Sequence, residues 1–113
     1  MMPLVRHADS VDPVPCPCGQ ARRIVTSADG APCSLHHTRI HTAERHWHAR
    51  TTEVYSILEG TGRIELDGVW HEVRPGSVVL IPAGTRHRII SEAGLKTVVV
   101  AVPPFDPADE FVD

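Results

Sequence analysis

Residues 46–60 read HWHARTTEVYSILEG, a segment in which side chains able to bind a metal ion recur at short, regular intervals. Because successive side chains of a β-strand point to opposite faces, His46 and His48 are expected to point the same way. A strand that resumes at Glu53 would place Glu53 and Tyr55 together on one face. The spacing therefore predicts two imidazoles and one carboxylate directed towards a common point.

A third histidine lies in residues 76–91, GSVVLIPAGTRHRIIS. Pro82 is expected to end an apolar strand, Gly84 to permit a tight reversal, and His87 to open the next strand. Three imidazoles and one carboxylate suit iron, manganese, nickel, copper or zinc, and suit calcium or magnesium poorly. The two segments together predict a metal site whose ligands are His46, His48, Glu53 and His87.

The rest of the chain reads as all-β, because short segments rich in β-branched residues alternate with turn signals. The sharpest hairpin is GRIELDGVWHEV, in which Asp67-Gly68 suits a two-residue type I′ turn and would pair Leu66 with Val69. Many short strands at nearly even spacing predict a sandwich or barrel. Near the end, DPADEF could form one short helical turn.

The two histidine segments carry a family resemblance. HWHARTTEVYSILEG matches the pattern HxH-x4-E-x6-G, and GSVVLIPAGTRH matches G-x5-P-x-G-x2-H, so the chain resembles the cupin superfamily at every expected metal-ligand position. The resemblance covers roughly residues 40–91 and implies a small β-barrel of the cupin, or jelly-roll, double-stranded β-helix type. Ile40 stands where the first motif usually begins with glycine, and Ser91 where the second usually ends with asparagine, which affects loop geometry and no ligand.

The resemblance implies a metal-dependent enzyme acting on a small molecule, with substrate reaching the open coordination positions of the metal. Cupins of this kind include dioxygenases, isomerases, decarboxylases and lyases. The alternative is a non-catalytic module that binds or senses a small ligand such as a carbohydrate, and a third class is a purely structural dimer. The resemblance also implies a homodimer. Independently, the exposed strand edges of a small β-protein favour pairing with another chain.

Several further side chains are candidates for the cavity. Tyr55 is the only tyrosine of the chain and is either a catalytic acid or substrate anchor, or a core residue with a satisfied hydroxyl. Whichever of His36 and His37 faces inward would serve as a proton-transfer group. Five of 113 residues are Phe, Trp or Tyr, which favours a small polar or carboxylate-bearing ligand over a flat aromatic one. Three arginines would orient an anionic substrate if they line the mouth, and are otherwise solvated: Arg39, Arg86 and Arg88.

Length and composition set the remaining expectations. A chain of 113 residues suits one domain, with residues 1–19 as a proline-rich extended arm and residues 20–113 as the barrel. A formal net charge of −3 and scattered basic residues argue against nucleic acid. The absence of a long apolar run argues against a membrane span or signal peptide, and predicts a cytoplasmic protein.

The cysteines support the same location. Cys16 and Cys18 are separated only by Pro17, a spacing that predicts no mutual disulfide, and the third cysteine, Cys33, leaves an odd number. Reduced thiols are therefore expected. A second, zinc-type site formed by these cysteines with His36 and His37 is a minor alternative, because its C-x-C spacing is shorter than that of structural zinc sites.

Overall fold

The computed structural model describes residues 1–112. Its strands are β1 (Val14–Cys16), β2 (Gly19–Val25), β3 (Ser34–Thr42), β4 (His46–Trp47), β5 (Thr52–Glu59), β6 (Gly62–Leu66), β7 (Val69–Val73), β8 (Val78–Ile81), β9 (His87–Val102) and β10 (Phe111–Val112). Short 3₁₀ turns cover Ala8–Ser10, Ser27–Asp29 and Pro107–Asp109. The predicted all-β fold is confirmed, as is the helical turn in DPADEF.

The strands form two antiparallel sheets that share β9. The larger sheet has the order β1-β2-β3-β9-β5-β8, and the smaller has the order β7-β6-β9-β4-β10. Residues 95–102 of β9 pair with β3 and β5, whereas residues 87–90 pair with β4 and β6 and, through Ile90 and Thr42, with the end of β3. Between these halves Gly94 adopts a φ of +86°, which glycine tolerates at no steric cost. Because one strand passes through both sheets, the two close into a barrel.

Aliphatic side chains fill the space between the sheets. They come from the inward-facing positions of alternating strands, and each buried isoleucine or leucine contributes about 1.5–3 kcal/mol relative to an exposed one. Ile40, which replaces the usual motif glycine, is one of them, and Ser91 donates its hydroxyl hydrogen bond to the carbonyl oxygen of Thr61 at 2.6 Å. The most deeply buried members are Ile40, Ile57, Ile64, Ile81, Ile89 and Leu95, each at most 2% exposed.

The predicted hairpin and motif loop are both present. Leu66 pairs with Val69 in the register of β6 and β7, and Asp67 and Gly68 both have positive φ, as a type I′ turn requires. Pro82 directly follows β8, and Gly84 reverses the chain at a φ of +87°. Local turn chemistry therefore sets the register on the side of the barrel that carries His87.

The N-terminal segment lies along β2. Val14 pairs with Ala21, and the guanidinium of Arg6 donates to the carbonyl of Ile24 and to the carboxylate of Asp29. The division into an arm over residues 1–19 and a barrel over residues 20–113 stays a prediction.

One sequence prediction is wrong. Cys16 and Cys18 form a disulfide, because the chain reverses between β1 and β2 and brings their Cα atoms to 5.1 Å, within the range a disulfide spans. Cys33 is a free thiol. The disulfide removes the argument from reduced cysteines for a cytoplasmic location. The disulfide also leaves Cys16 and Cys18 without the free thiolates that the alternative zinc site would need. Within residues 1–112, no group of side chains placed to bind a metal includes a cysteine.

No helix in residues 1–112 is long and apolar enough to cross a membrane.

Candidate metal centre

The four predicted ligands meet between the two sheets. His46 lies on β4, His48 directly follows it, Glu53 lies on β5 and His87 opens β9. One potential ligand atom from each of them lies within 4.8 Å of those from the other three, and all four residues are at most 6% exposed. The structure thus brings together the four side chains that the two motifs identify.

Strand pairing and one loop contact create this convergence. His46 and His87 are register partners across β4 and β9, which places two imidazoles on neighbouring strands of the smaller sheet. The backbone N–H of Gly84 donates to the carbonyl of His48 at 2.7 Å, which joins the loops of the two motifs. Glu53 enters from the larger sheet, where alternation along β5 turns it inward.

Each of the three histidines is fixed by its Nδ1 atom. The Nδ1 atoms of His46, His48 and His87 lie 2.9, 3.0 and 2.9 Å from the backbone carbonyl oxygens of Glu44, Asp109 and Thr85, respectively. A carbonyl oxygen only accepts hydrogen bonds, so each Nδ1 carries a proton, and in a neutral ring Nε2 then presents a lone pair. Metal-binding histidines are oriented in this way by backbone carbonyls.

The atoms that face one another lack hydrogen bonds. The Nε2 atoms of His48 and His87 each lie 3.2 Å from Oε1 of Glu53, yet all three atoms are buried without a hydrogen-bond partner in the described part of the chain. Buried polar atoms are rarely left unsatisfied, and a buried carboxylate is costly unless it is paired or binds a metal. These 3.2 Å separations would allow all three atoms to bind one transition-metal ion, because the bonds of such an ion to nitrogen and oxygen are about 2.0–2.2 Å long.

The electrostatics favour the protonation states that ligation needs at Glu53 and His46, but not at His48. Burial raises the pKa of Glu53, but His48 and His87 outweigh it and hold this pKa far below its usual value, so the carboxylate is charged. Burial, with a contribution from His87, lowers the pKa of His46 to about 4, so its imidazole is neutral. For His48 burial lowers the pKa, but Glu53 reverses the net direction and raises it.

A small inner cavity reaches this cluster. It has a volume of about 30 Å³, enough for one or two waters, and His46, Glu53, Tyr55 and His36 contribute to its wall. An outer pocket of about 390 Å³ lies beside it. The residues that line both spaces form the mouth of the site: Cys16, Pro17, Arg23, His36, Phe105 and Glu110.

The structure shows which of the two neighbouring histidines faces the cavity, and where Tyr55 lies. His36 points inward and is 6% exposed, whereas its neighbour His37 faces the other side of the sheet. Tyr55 is 4% exposed and contributes to the inner cavity. Because Tyr55 also belongs to the buried hydrophobic core, its position is compatible with a catalytic phenol and with a core residue.

The three arginines named from the sequence do not line the mouth. Arg86 lies over the ring of Trp47 at 3.9 Å, Arg88 donates to Glu65 at 3.1 Å, and Arg39 is exposed on the outer face. Arg23 lines the mouth instead. From the sequence, Arg23 could be assigned to the strand RRIVT but not to the mouth of the site. Only the pairing of β2 with β3 shows that Arg23 lies opposite His36.

Comparison with known proteins identifies the family of the chain. Residues 39–103 match the family model Cupin_2, described as a cupin domain. The chain belongs to the cupin family. A curated relative of this cupin is the L-ectoine synthase of Saccharopolyspora erythraea, 29% identical over 89 residues that cover 75% of this chain and 66% of that protein. The cupin spans about two thirds or less of the length of the curated relatives it matches.

Solved structures share the whole fold. A protein from Planctomyces limnophilus is 34% identical, with 97% of this cupin and 96% of that chain covered and a TM-score of 0.91. The ectoine synthase from P. lautus is 22% identical, with 96% and 88% covered and a TM-score of 0.82. These likenesses establish the barrel of the cupin.

Proposed function

We propose that this cupin is a metal-dependent enzyme that acts on a small molecule. The divalent transition metal, one of iron, manganese, nickel, copper or zinc, would be held by His46, His48, Glu53 and His87. The observation that carries the proposal is the anchoring of three Nδ1 atoms by backbone carbonyls, because it leaves the Nε2 atoms of these histidines available to bind a metal ion beside Glu53.

When bound, such an ion polarises a substrate oxygen, acidifies a water molecule or, as iron, supplies redox chemistry. The protein's own part is to exclude bulk water and to position polar groups around the cluster. Burial raises the pKa of Tyr55 well above its usual value, so its hydroxyl stays protonated at neutral pH. Tyr55 is therefore proposed as the group that donates a hydrogen bond or proton to the substrate.

Among the reaction classes open to cupins, the ectoine synthase relative favours lyase-type chemistry over oxygenase or isomerase chemistry. Formation of ectoine is accordingly the first reaction to test. The inner cavity is too small for a substrate, so the substrate would occupy the outer pocket and extend a single polar group inward. This geometry supports a small, polar substrate.

Metal content tests the ligand assignment. Protein purified without chelators or a histidine tag is expected to contain about one transition-metal ion per chain, and His48→Ala far less, because one of four ligands is lost. His71→Ala is the matched control, since His71 is exposed on β7 and should leave the metal content unchanged. Equal metal content in the wild type and His48→Ala would show that the ligand assignment is wrong.

Turnover separates an enzyme from a binding module. Protein loaded in turn with each of the five metals is tested for ectoine formation, and then with a panel of diketones, thiols and sugar phosphates. Oxygen consumption and product analysis are the measurements. An enzyme gives product with at least one metal, whereas binding without turnover for every metal would indicate the non-catalytic binding or sensor module.

A homodimer is also proposed. The outer face of the larger sheet exposes apolar side chains, among them Val78 at 67% and Leu80 at 63% on the edge strand β8. Exposed apolar patches and open sheet edges both favour association. Leu80→Lys should be monomeric by light scattering, while Val69→Lys, on the smaller sheet, should remain dimeric. A monomeric wild type would refute the dimer. A cytoplasmic location remains part of the proposal.

A further inference from the structure

His36 presents an unused hydrogen-bond donor to the inner cavity. The side chain is 6% exposed and lies in the wall that also contains Glu53 and Tyr55. Its Nδ1 atom is 3.4 Å from Nη1 of Arg23, its register partner on β2. Arginine offers only donors, so Nδ1 must accept and the ring proton must reside on Nε2.

The Nε2–H of His36 has no partner. It is buried and makes no hydrogen bond to any of residues 1–112. Burial lowers the pKa of His36 to about 4, with a further contribution from the charge of Arg23, so the ring is neutral and its single proton stays on Nε2. Since nearly all buried donors in folded proteins find an acceptor, the missing acceptor is expected to come from a ligand.

Arg23 supplies a positive charge beside this donor. Its guanidinium carbon lies 4.2 Å from the centre of the Phe105 ring, and Arg23 lines both the inner cavity and the outer pocket. Stacking on an aromatic ring fixes the plane of the guanidinium, and the N–H groups in that plane remain able to bind a carboxylate. Arg23 and His36 thus point two kinds of donor into one polar corner of the mouth.

We propose that Arg23 and His36 form a subsite for the carboxylate of a small organic acid. The planar fork of Arg23 and the Nε2–H of His36 suit two carboxylate oxygens. Glu110, which lines the same mouth, and Glu53 repel any anion there, but they repel a doubly charged phosphate more strongly than a singly charged carboxylate. The inference rests on the proposed function, because the rest of the acid would extend towards the metal ligands, and it names the substrate class for that site.

Binding of butyrate tests this subsite without any need for turnover. Metal-free and zinc-loaded forms are each titrated with butyrate and with its neutral analogue butyramide, and binding is followed by NMR. Wild type is expected to bind butyrate saturably in both forms and butyramide at least about tenfold more weakly, a difference of about 1.4 kcal/mol. Arg23→Gln and His36→Phe should each weaken butyrate binding by at least about tenfold. Arg39→Gln and His37→Phe are the matched controls, because both residues face away from the cavity, and they should bind like the wild type.

The outcomes separate this subsite from the metal site. If the protein binds no metal but the metal-free form binds butyrate through Arg23, the proposed function fails and the subsite stands. If butyrate binds only the zinc-loaded form and Arg23→Gln binds it normally, the metal holds the carboxylate and the subsite is overturned. A wild type that does not bind butyrate, or binds butyramide equally well, also overturns it. If the variants do not fold, the side-chain NMR signals of His36 and Arg23 are followed in the wild type. Signals that shift at saturating butyrate support the subsite, and signals that stay unchanged overturn it.

Discussion

Asp109 connects the C-terminal segment to the candidate metal centre, and replacing it with alanine should damage both stability and metal binding. Its side chain is 3% exposed. The carboxylate accepts hydrogen bonds from the backbone N–H groups of Ala49 and Arg50, each at 3.1 Å. Its backbone carbonyl lies 3.0 Å from Nδ1 of His48. The same residue therefore anchors the loop after His48 and orients the imidazole.

The size of the effect follows from these contacts. A hydrogen bond to a charged acceptor contributes about 1.5–3 kcal/mol, and both donors lie in an exposed loop where water replaces part of the loss. Asp109→Ala should therefore lower the free energy of unfolding by about 2–3 kcal/mol. If the carbonyl that holds His48 shifts as well, metal affinity should fall about 10- to 100-fold, as for other groups that orient a metal ligand.

The effect should also depend on pH. Burial raises the pKa of Asp109, but hydrogen bonds from Arg50 and Ala49 outweigh it and lower this pKa below its usual value. A carboxylate whose pKa is depressed by folding stabilises the protein above its unfolded pKa, about 3.9, and this contribution disappears as the pH falls through the folded pKa. The stability difference between wild type and Asp109→Ala should therefore be full at pH 7 and shrink below about pH 4.

Urea unfolding at pH 7 and at pH 3, with a metal titration at pH 7, measures these effects. Asp106→Ala is the control, because Asp106 caps the same 3₁₀ turn but is half exposed, and its loss should cost about 1 kcal/mol and leave metal affinity unchanged. A stability of Asp109→Ala within about 0.5 kcal/mol of the wild type at pH 7, a difference typical of ordinary surface substitutions, would refute the anchoring role of Asp109. An equal change of metal affinity in the two variants would refute its role in orienting His48.

Three further outcomes are expected. Gly60→Ala should lower the free energy of unfolding in urea more than Gly76→Ala does. Both glycines have positive φ, but of the two only Gly60 would place its new Cβ against backbone, 2.5 Å from the carbonyl oxygen of Gly94. Equal losses of stability would contradict this. Ile57→Val should cost about 0.5–1.5 kcal/mol, since Ile57 is 1% exposed in the core, and no loss would place it outside the core. A chelator should lower the unfolding temperature of metal-loaded wild type but not that of His46→Ala, and a fall in both would mean that the chelator acts elsewhere.

Local patterns made most of the fold predictable. Strand alternation predicted that Glu53 and Tyr55 share a face, and the Asp67-Gly68 turn predicted the pairing of Leu66 with Val69. Both depend on residues close in sequence. The convergence of four ligand side chains from two distant segments was predictable only because both segments resemble the motifs of the cupin superfamily.

The parts that could not be predicted depend on contacts between distant segments. The disulfide of Cys16 and Cys18 follows from the reversal between β1 and β2, which the proline-rich sequence did not reveal. The inward position of Arg23 follows from the register of β2 on β3. The hydrogen bond from His48 to Asp109 spans 61 residues, and nothing in the tail indicated that it returns to the site.

Strand β9 has a consequence for how the site acquires its metal. It lies in the interior of both sheets and begins with His87, so one ligand is fixed at the start of a strand that the whole barrel needs. If the proposed metal binds, folding would assemble such a site before the ion arrives, unlike small metal domains that fold only around their metal. The folded protein would then present the same ligands to every divalent ion it meets, so that the supply of metals in the cell would join ligand type and geometry in determining which ion it carries.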